Sequence, residues 1–321
     1  MENIVLSTRI RLARNFVKFP FVSKMTEENA REIIKATEET ILSANEKSEG
    51  YFRVISPEEL KSEGGILRET HLISPDILAS SLPSSVIISK NKDISIMINE
   101  EDHLRIQVIK EGFSLKDAYS LANTCDNLIE EKNDYAFSEK YGYLTSCPTN
   151  AGTGMRASVM LHLPAITMTG GMNKLTETVN RLGITVRGYY GEGSKAYGNL
   201  YQFSNRESMG ISEEEIINKL ENIVSQVVEN EKKLRERILN DTVKDKIMRS
   251  YGILKNCFII SFEEFCSLWS NVLLGIDLGI IETIDRKSFK NLIVKVAPAT
   301  LNCEIPHERD RMRAEILRKE V

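Results

Sequence analysis

Five arginines stand in local patterns that suit anion binding. Arg9 and Arg11 alternate in STRIRLAR, Arg105 ends NEEDHLR, Arg156 follows the glycine-rich CPTNAGTG, and Arg187 sits in TVRGYYGEG. Two residues apart on a strand, Arg9 and Arg11 point to one face. A single surface arginine is ordinarily a solvated side chain. Five of them, each beside a strand signal or a glycine turn, suit another task. Guanidinium groups make permanently charged, bidentate contacts to phosphate oxygens. Gathered in space, they would hold a nucleoside triphosphate without a P-loop and neutralise charge during phosphoryl transfer.

Three consecutive acids, Glu100, Glu101 and Asp102, precede Arg105. In an extended segment Glu100 and Asp102 face away from Glu101, so only one or two of the three can reach a substrate. Cys147 is an inert small hydrophobe if buried, but arginines around it would favour its thiolate. His71 and His103 have no second histidine at ligand spacing, and no protein metal ligand is assigned. Gly152–Ala157 matches GxGxxA, but a dinucleotide fold needs a helix there. RASVMLHL instead alternates and stops at Pro164. GxxxxGK[ST], HExxH and GxSxG are absent.

The elements that must position these residues divide by pattern. Residues 27–48 and 114–131 read as helices, the second with Ser114 and Asp117 as a capping box. SSVIISKNKDISIMINEEDH reads as two strands joined at Asn91–Asp93, since Ile94, Ile96 and Ile98 alternate with Ser95, Met97 and Asn99. RASVMLHLP, GITVRGYY and YQFSN add strands. After Gly210 the pattern is helical: Ser212 with Glu215, and Ser261 with Glu264, open long amphipathic runs. Domains are expected at 1–220 and 221–321.

The 321 residues are 41% hydrophobic and 27% charged, which excludes a disordered chain, a collagen-like fibre and a polytopic membrane protein. Lys+Arg 42 against Asp+Glu 46 gives no global case for nucleic acid. Cys125, Cys147, Cys257, Cys266 and Cys303 form no CxxC, which suits a reducing cytoplasm. MENIVLSTRIRLARN is no secretory signal. WSNVLLGIDLGII is about half a membrane span, contains Asp277, and reads as a buried helix.

STRIR, NEEDHLR, CPTNAGTGMRAS and VRGYYGEG, in this order, resemble the phosphagen (guanidino) kinase family, and within it the bacterial protein-arginine kinases, which phosphorylate arginine side chains of other proteins. HLISPD at 71–76 is a further match, and RDRMRA at 309–314 is similar to the phosphoarginine-binding element of that branch. The resemblance implies an α+β catalytic domain, an antiparallel sheet flanked by helices of the glutamine synthetase-like kind. An all-helical C-terminal domain serving dimerisation or phosphoarginine binding would follow. It places ATP against Ser7, Thr8, Arg9, Ile10, Arg11, His71, Arg105, Arg156, Ala157, Ser158, Val159 and Met160. Arg187, Gly188, Tyr189, Tyr190, Gly191 and Glu192 complete that set. Glu101 matches the catalytic base, with Glu100 and Asp102 beside it, and Cys147 matches the reactive cysteine near the guanidino group. Arg309, Asp310, Arg311, Met312, Arg313 and Ala314 match the allosteric phosphoarginine element. Magnesium would arrive with ATP, held by phosphate oxygens and water.

The physical chemistry agrees with those roles. A guanidinium, with a pKa above about 12, is a poor nucleophile until a carboxylate orients it and takes its proton. Relatives acting on free arginine or creatine resemble one another in a helical N-terminal domain that carries a lid. Here only six residues precede Ser7, so an arginine presented on a polypeptide is the expected acceptor. Lys195 stands where the family's loop usually bears a glutamate, and the chain ends soon after RDRMRA. The resemblance further implies a cytoplasmic stress-response role: marking proteins for a Clp protease, acting on a stress-gene repressor, and working as a homodimer with a small zinc-binding activator protein. Direct nucleic-acid or membrane binding is not expected. A free-guanidino phosphagen kinase and an inactive phosphoarginine-binding module are the competing readings.

Overall fold

The computed structural model describes residues 3–45, 51–189 and 197–321. Strand β1 (Val5–Arg14) buries Thr8, Ile10 and Leu12 and leaves Arg9 and Arg11 half-buried on the other face. Helix α1 spans Glu27–Asn45, and β2 (Phe52–Ile55) leads into α2 (Pro57–Glu69). Ser56 and Glu59 cap each other's backbone at that junction, with Pro57 in the first turn, where its missing N–H costs nothing. Ser74 caps the short α3 (Pro75–Ala79). Strands β3 (Ser85–Ser89) and β4 (Ile94–Ile98) form a hairpin, and a second tight turn at 99–103 leads into β5 (Leu104–Glu111).

Helix α4 (Leu115–Glu130) follows. The expected Ser114 box does not form there: its side chain makes no cap, and its N–H donates to Thr8 Oγ1 at 3.1 Å. A small ribbon, β6 (Phe137–Ser138) with β7 (Gly142–Tyr143), precedes β8 (Met155–His162). Then come α5 (Pro164–Met168), α6 (Met172–Arg181), β9 (Ile184–Arg187) and β10 (Leu200–Asn205). From Glu213 onward the elements are helices: α7 (Glu213–Ile238), α8 (Asp241–Asn256), α9 (Phe262–Asp277), α10 (Arg286–Lys295) and α11 (Pro306–Glu320). Ser212 and Glu215 form the expected capping box, and Ser261 accepts from the Glu264 N–H.

Eight strands hydrogen-bond in the order β2-β3-β4-β5-β1-β8-β10-β9, antiparallel from β2 through β1. The β1–β5 register sets Ala13 opposite Arg105 and Arg11 opposite Gln107. The fold is thus the expected antiparallel sheet flanked by helices, with a helical C-terminal region.

The chain divides into two compact units that interleave along the sequence. One comprises Ser7–Val159 and Ser204–Ile223; the other comprises Met1–Leu6, Met160–Phe203 and Val224–Val321. In the first, Ile55, Leu60, Leu67, Ile77, Val86 and Met97 pack α2 and α3 onto the sheet. In the second, Trp269 is fully buried, stacks on Phe289 and donates its indole N–H to the Phe289 carbonyl at 3.0 Å. Asp277 lies buried there, as a buried α9 requires, and is satisfied by Arg235 at 3.0 Å and Arg286 at 2.6 Å. Among the described residues, no helix is long and apolar enough to cross a membrane.

Candidate active site

Four of the five arginines converge within the first unit. Arg9 and Arg11 share a face of β1, Arg105 begins β5 and Arg156 begins β8; both strands are neighbours of β1. Burial, then the charges of Arg156 and Arg105, pushes the Arg9 guanidinium down to about 10. Arg11 is pushed well below its ordinary value by burial and by Arg9, Arg105 and Arg156, with Glu100 acting in the opposite sense. The buried Nε atoms of Arg9 and Arg11 make no hydrogen bond. Such crowding is unfavourable unless a multiply charged anion joins it.

His71 lies within reach of this cluster. It holds a left-handed φ of 59°, and its carbonyl accepts from Gln107 Nε2 at 2.8 Å. Burial and the Arg9 charge push its imidazole down to about 3, so it stays neutral. Arg156 Nη2 donates to Ser204 Oγ at 3.0 Å, and the Ala157 N–H donates to Asn205 Oδ1 at 2.8 Å. Ser7 is half-buried, whereas Thr8 and Ile10 are buried on the opposite side of β1 from the arginines. Thr8 Oγ1 is taken by the Gly112 carbonyl at 2.7 Å, so neither side chain faces the cluster. Ala157, Ser158 and Val159 are buried in β8. Met160, Arg187 and Gly188 belong to the second unit, where Tyr189 joins the hydrophobic core. Tyr190, Gly191, Glu192 and Lys195 lie outside the described residues.

The three acids sit on the tight turn between β4 and β5, not on an extended strand. Asn99, at φ 60°, starts it, and the Asn99 N–H donates to the His103 carbonyl at 2.9 Å. The turn still separates the acids as alternation would: Glu101 is exposed, while Glu100 and Asp102 are buried. Glu100 Oε1 is held by Ser74 Oγ and by Arg105 Nη1, the latter at 2.6 Å. Asp102 Oδ1 accepts from Asn15 Nδ2 at 2.7 Å and from the Ser146 N–H at 2.6 Å. Both are committed to holding the turn. Glu101 Oε2 meets Arg105 Nη2 at 3.0 Å and Asn150 Nδ2 at 3.4 Å. Partial burial, with Asp102, Glu100 and Asp76 adding to it, raises the Glu101 pKa against the pull of Arg105. A raised carboxylate pKa is what a proton acceptor requires.

Cys147 opens a short turn at Pro148–Asn150, with Sγ 3.0 Å from Thr149 Oγ1. The glycines that follow are dictated by contact. A Cβ on Gly154 (φ 63°) would lie 2.6 Å from the Ala13 carbonyl and from Arg14 Nη1, and one on Gly152 (φ 104°) 2.2 Å from the Ser208 carbonyl. Arg14 is itself buried, paired with Asp126 at 2.7 Å and lying 3.5 Å over the Tyr143 ring. Arg14, Asn15, Ser74, Ser146 and Asn150 support the site; Arg14, Ser74 and Asn150 lie inside the motifs STRIRLAR, HLISPD and CPTNAGTGMRAS, but their spacing does not reveal their partners. Among the described residues, no three His, Cys, Asp or Glu side chains group as a metal site.

Helix α11 carries the 309–314 element in the second unit. Arg313 is buried, donating to the carbonyls of Val296 at 3.0 Å and Ile260 at 2.7 Å, and pairing with Asp310 at 2.5 Å. Arg309 reaches the Cys303 carbonyl at 3.2 Å, Arg311 and Met312 are exposed, and Ala314 is buried.

The profile "ATP:guanido phosphotransferase, C-terminal catalytic domain" matches residues 32–234, and "Protein-arginine kinase McsB C-terminal domain" matches 240–321. The protein-arginine kinase of Geobacillus sp. (strain WCH70) is 45% identical, covering 99% of this chain and 90% of its own length; that of Bacillus subtilis (strain 168) is 42% identical with the same coverage. Among solved structures, the duplicated taurocyamine kinase from Schistosoma mansoni has a TM-score of 0.64 at 24% identity, over 72% of this chain and 33% of that one. Lombricine kinase has a TM-score of 0.63 at 23% identity, over 75% and 70%. These two share the fold. The chain belongs to the ATP:guanido phosphotransferase family, in its protein-arginine kinase branch, and is a phosphotransferase.

Proposed function

We propose that this kinase transfers the γ-phosphoryl group of ATP to arginine side chains of other proteins, using Arg9, Arg11, Arg105 and Arg156 to hold the triphosphate and Glu101 as base. The observation that carries this reading is the crowd of mutually repelling guanidinium groups beside one exposed carboxylate of raised pKa. An acceptor guanidinium set against Glu101 is oriented in plane. As its nitrogen attacks the γ-phosphorus, the N–P bond forms, the bond to the β,γ-bridging oxygen breaks with ADP leaving, and the nitrogen's proton passes to Glu101. The arginines receive the charge that develops on the phosphoryl oxygens. Cys147 sits on the loop tied to the acid turn, where a thiolate would add a negative partner for the acceptor. Magnesium enters bound to the nucleotide, held chiefly by its phosphate oxygens and water.

The wider reading keeps the partners named by resemblance: a cytoplasmic homodimer with a zinc-binding activator, marking proteins for a Clp protease and acting on a stress-gene repressor. For 309–314 we propose phosphoarginine binding through Asp310 and the outward arginines, with Arg313 as an anchor. Calorimetry on Asp310→Ala should show weakened phosphoarginine binding with ATP binding kept. The central test is incubation with ATP and either free arginine or an unfolded arginine-bearing protein. Acid-labile phosphate on the protein supports the reading, and turnover of free arginine alone overturns it.

A further inference from the structure

We propose that Asn15 is a positioning residue for phosphoryl transfer: its side chain locks the acid turn that carries Glu101 to the loop that carries Cys147. The inference rests on the assignment of Glu101 as base. Asn15 directly follows β1 and is 1% exposed, so it touches no substrate. Its Nδ2 donates to Asp102 Oδ1 at 2.7 Å and to the Leu144 carbonyl at 3.0 Å, and its Oδ1 accepts from the His103 N–H at 2.9 Å. Both amide hydrogens and the amide oxygen are therefore used.

The partners flank the reacting groups on both sides. Asp102 and His103 are the two residues after Glu101, while Leu144 leads into the Cys147 loop. Asp102 Oδ1 closes the bracket by accepting the Ser146 N–H at 2.6 Å. The two segments meet again at the carboxylate itself, where Asn150 Nδ2 lies 3.4 Å from Glu101 Oε2. The chain on either side is fixed as well. The Asn15 carbonyl accepts from the Ala136 N–H at 2.7 Å, and the Phe16 N–H donates to His103 Nδ1 at 3.0 Å. That bond leaves His103 Nε2 as donor to the Pro20 carbonyl at 2.8 Å. A carboxamide suits this position because it supplies two donors and an acceptor in one plane. Aspartate would set a second carboxylate against Asp102, and alanine would leave Asp102 Oδ1 with one bond.

A base displaced by about 1 Å costs on the order of 100-fold in rate, even when the displaced group is not the one altered. Asn15→Ala and Asn15→Asp are therefore expected to lower kcat by roughly 10- to 100-fold. KM for ATP should change less than about twofold, because the four arginines keep their places on the sheet. Asn15→Ser, which keeps a donor toward Asp102, should recover part of the loss. The assay uses the full chain with ATP and reduced, carboxymethylated lysozyme as acceptor. Far-UV circular dichroism and a cooperative thermal melt verify that each variant is folded, and calorimetry separately reads its ATP affinity. If Asn15→Ala does not fold, Asn15→Ser against wild type carries the same split between kcat and KM. A folded Asn15→Ala with wild-type kcat, or a parallel loss of ATP affinity and kcat, overturns the inference alone. Absence of turnover in the wild-type chain overturns the assignment of Glu101 and this inference with it.

Discussion

Replacing Arg9 by methionine should stabilise the protein while weakening its grip on nucleotide. The side chain is half-buried, its Nε lacks a hydrogen bond, and its nearest charges include Arg156 and Arg105. Lowering its pKa to about 10 implies a penalty on the charged form of roughly 3 kcal/mol, at about 1.4 kcal/mol per pH unit. Solvent at a half-buried group screens this to about 1–2 kcal/mol. Methionine keeps the apolar stem and removes the charge. A chain this large gains about 2 °C in Tm per kcal/mol, so the variant should melt some 2–4 °C higher without ligand. It should also bind ATP about 10- to 100-fold more weakly, the worth of a lost charge-assisted contact. The penalty has a pH signature. The folded chain releases this proton near pH 10 and the unfolded chain only above about 12, so wild-type stability is lowered fully at neutral pH and recovers as pH rises through 10. Calorimetry and thermal melting read both quantities. A variant that melts lower while binding ATP normally would refute the reasoning, because Arg9 would then be a packing residue.

Glu101→Gln should lower phosphoryl transfer by about 100- to 10,000-fold in single-turnover assays, with ATP affinity retained. Asp126→Ala strands a buried Arg14 and should cost about 3–5 kcal/mol in urea unfolding; a loss below about 1 kcal/mol would show that Tyr143 and the neighbouring carbonyls suffice. Acid should destabilise the fold before carboxylates titrate. His71, His103 and His162 are all held below the ordinary imidazole value, chiefly by burial. Below about pH 6.5 the unfolded chain binds protons that the native chain refuses, so the unfolding free energy read from urea titrations should fall by up to about 1.4 kcal/mol per pH unit for each histidine.

Local rules made much of this legible. The i, i+2 spacing places Arg9 and Arg11 together, and the Ser212–Glu215 box marks the start of α7. The Ser56–Glu59 box before α2 carries the same signature and would have located that helix. Ser114 shows the limit of the rule: a serine before a helix is free to be overruled when Thr8, distant in sequence, supplies the acceptor. The supporting residues were illegible for a related reason. Asn15 meets Asp102 across 87 positions, Arg14 meets Asp126 across 112, and Ser74 meets Glu100 across 26. No periodicity encodes such pairs; sheet order creates them. Alternation at 99–103 cannot distinguish a strand from a tight bend that also turns out only its middle acid.

Arg105 lays one guanidinium across two carboxylates, and so rehearses within the chain the pose asked of an incoming arginine at Glu101. On the proposed reading of Glu101 as base, an acceptor competes with this resident for the carboxylate, and part of its affinity goes into the exchange. A phosphate that draws Arg105 away lightens that task.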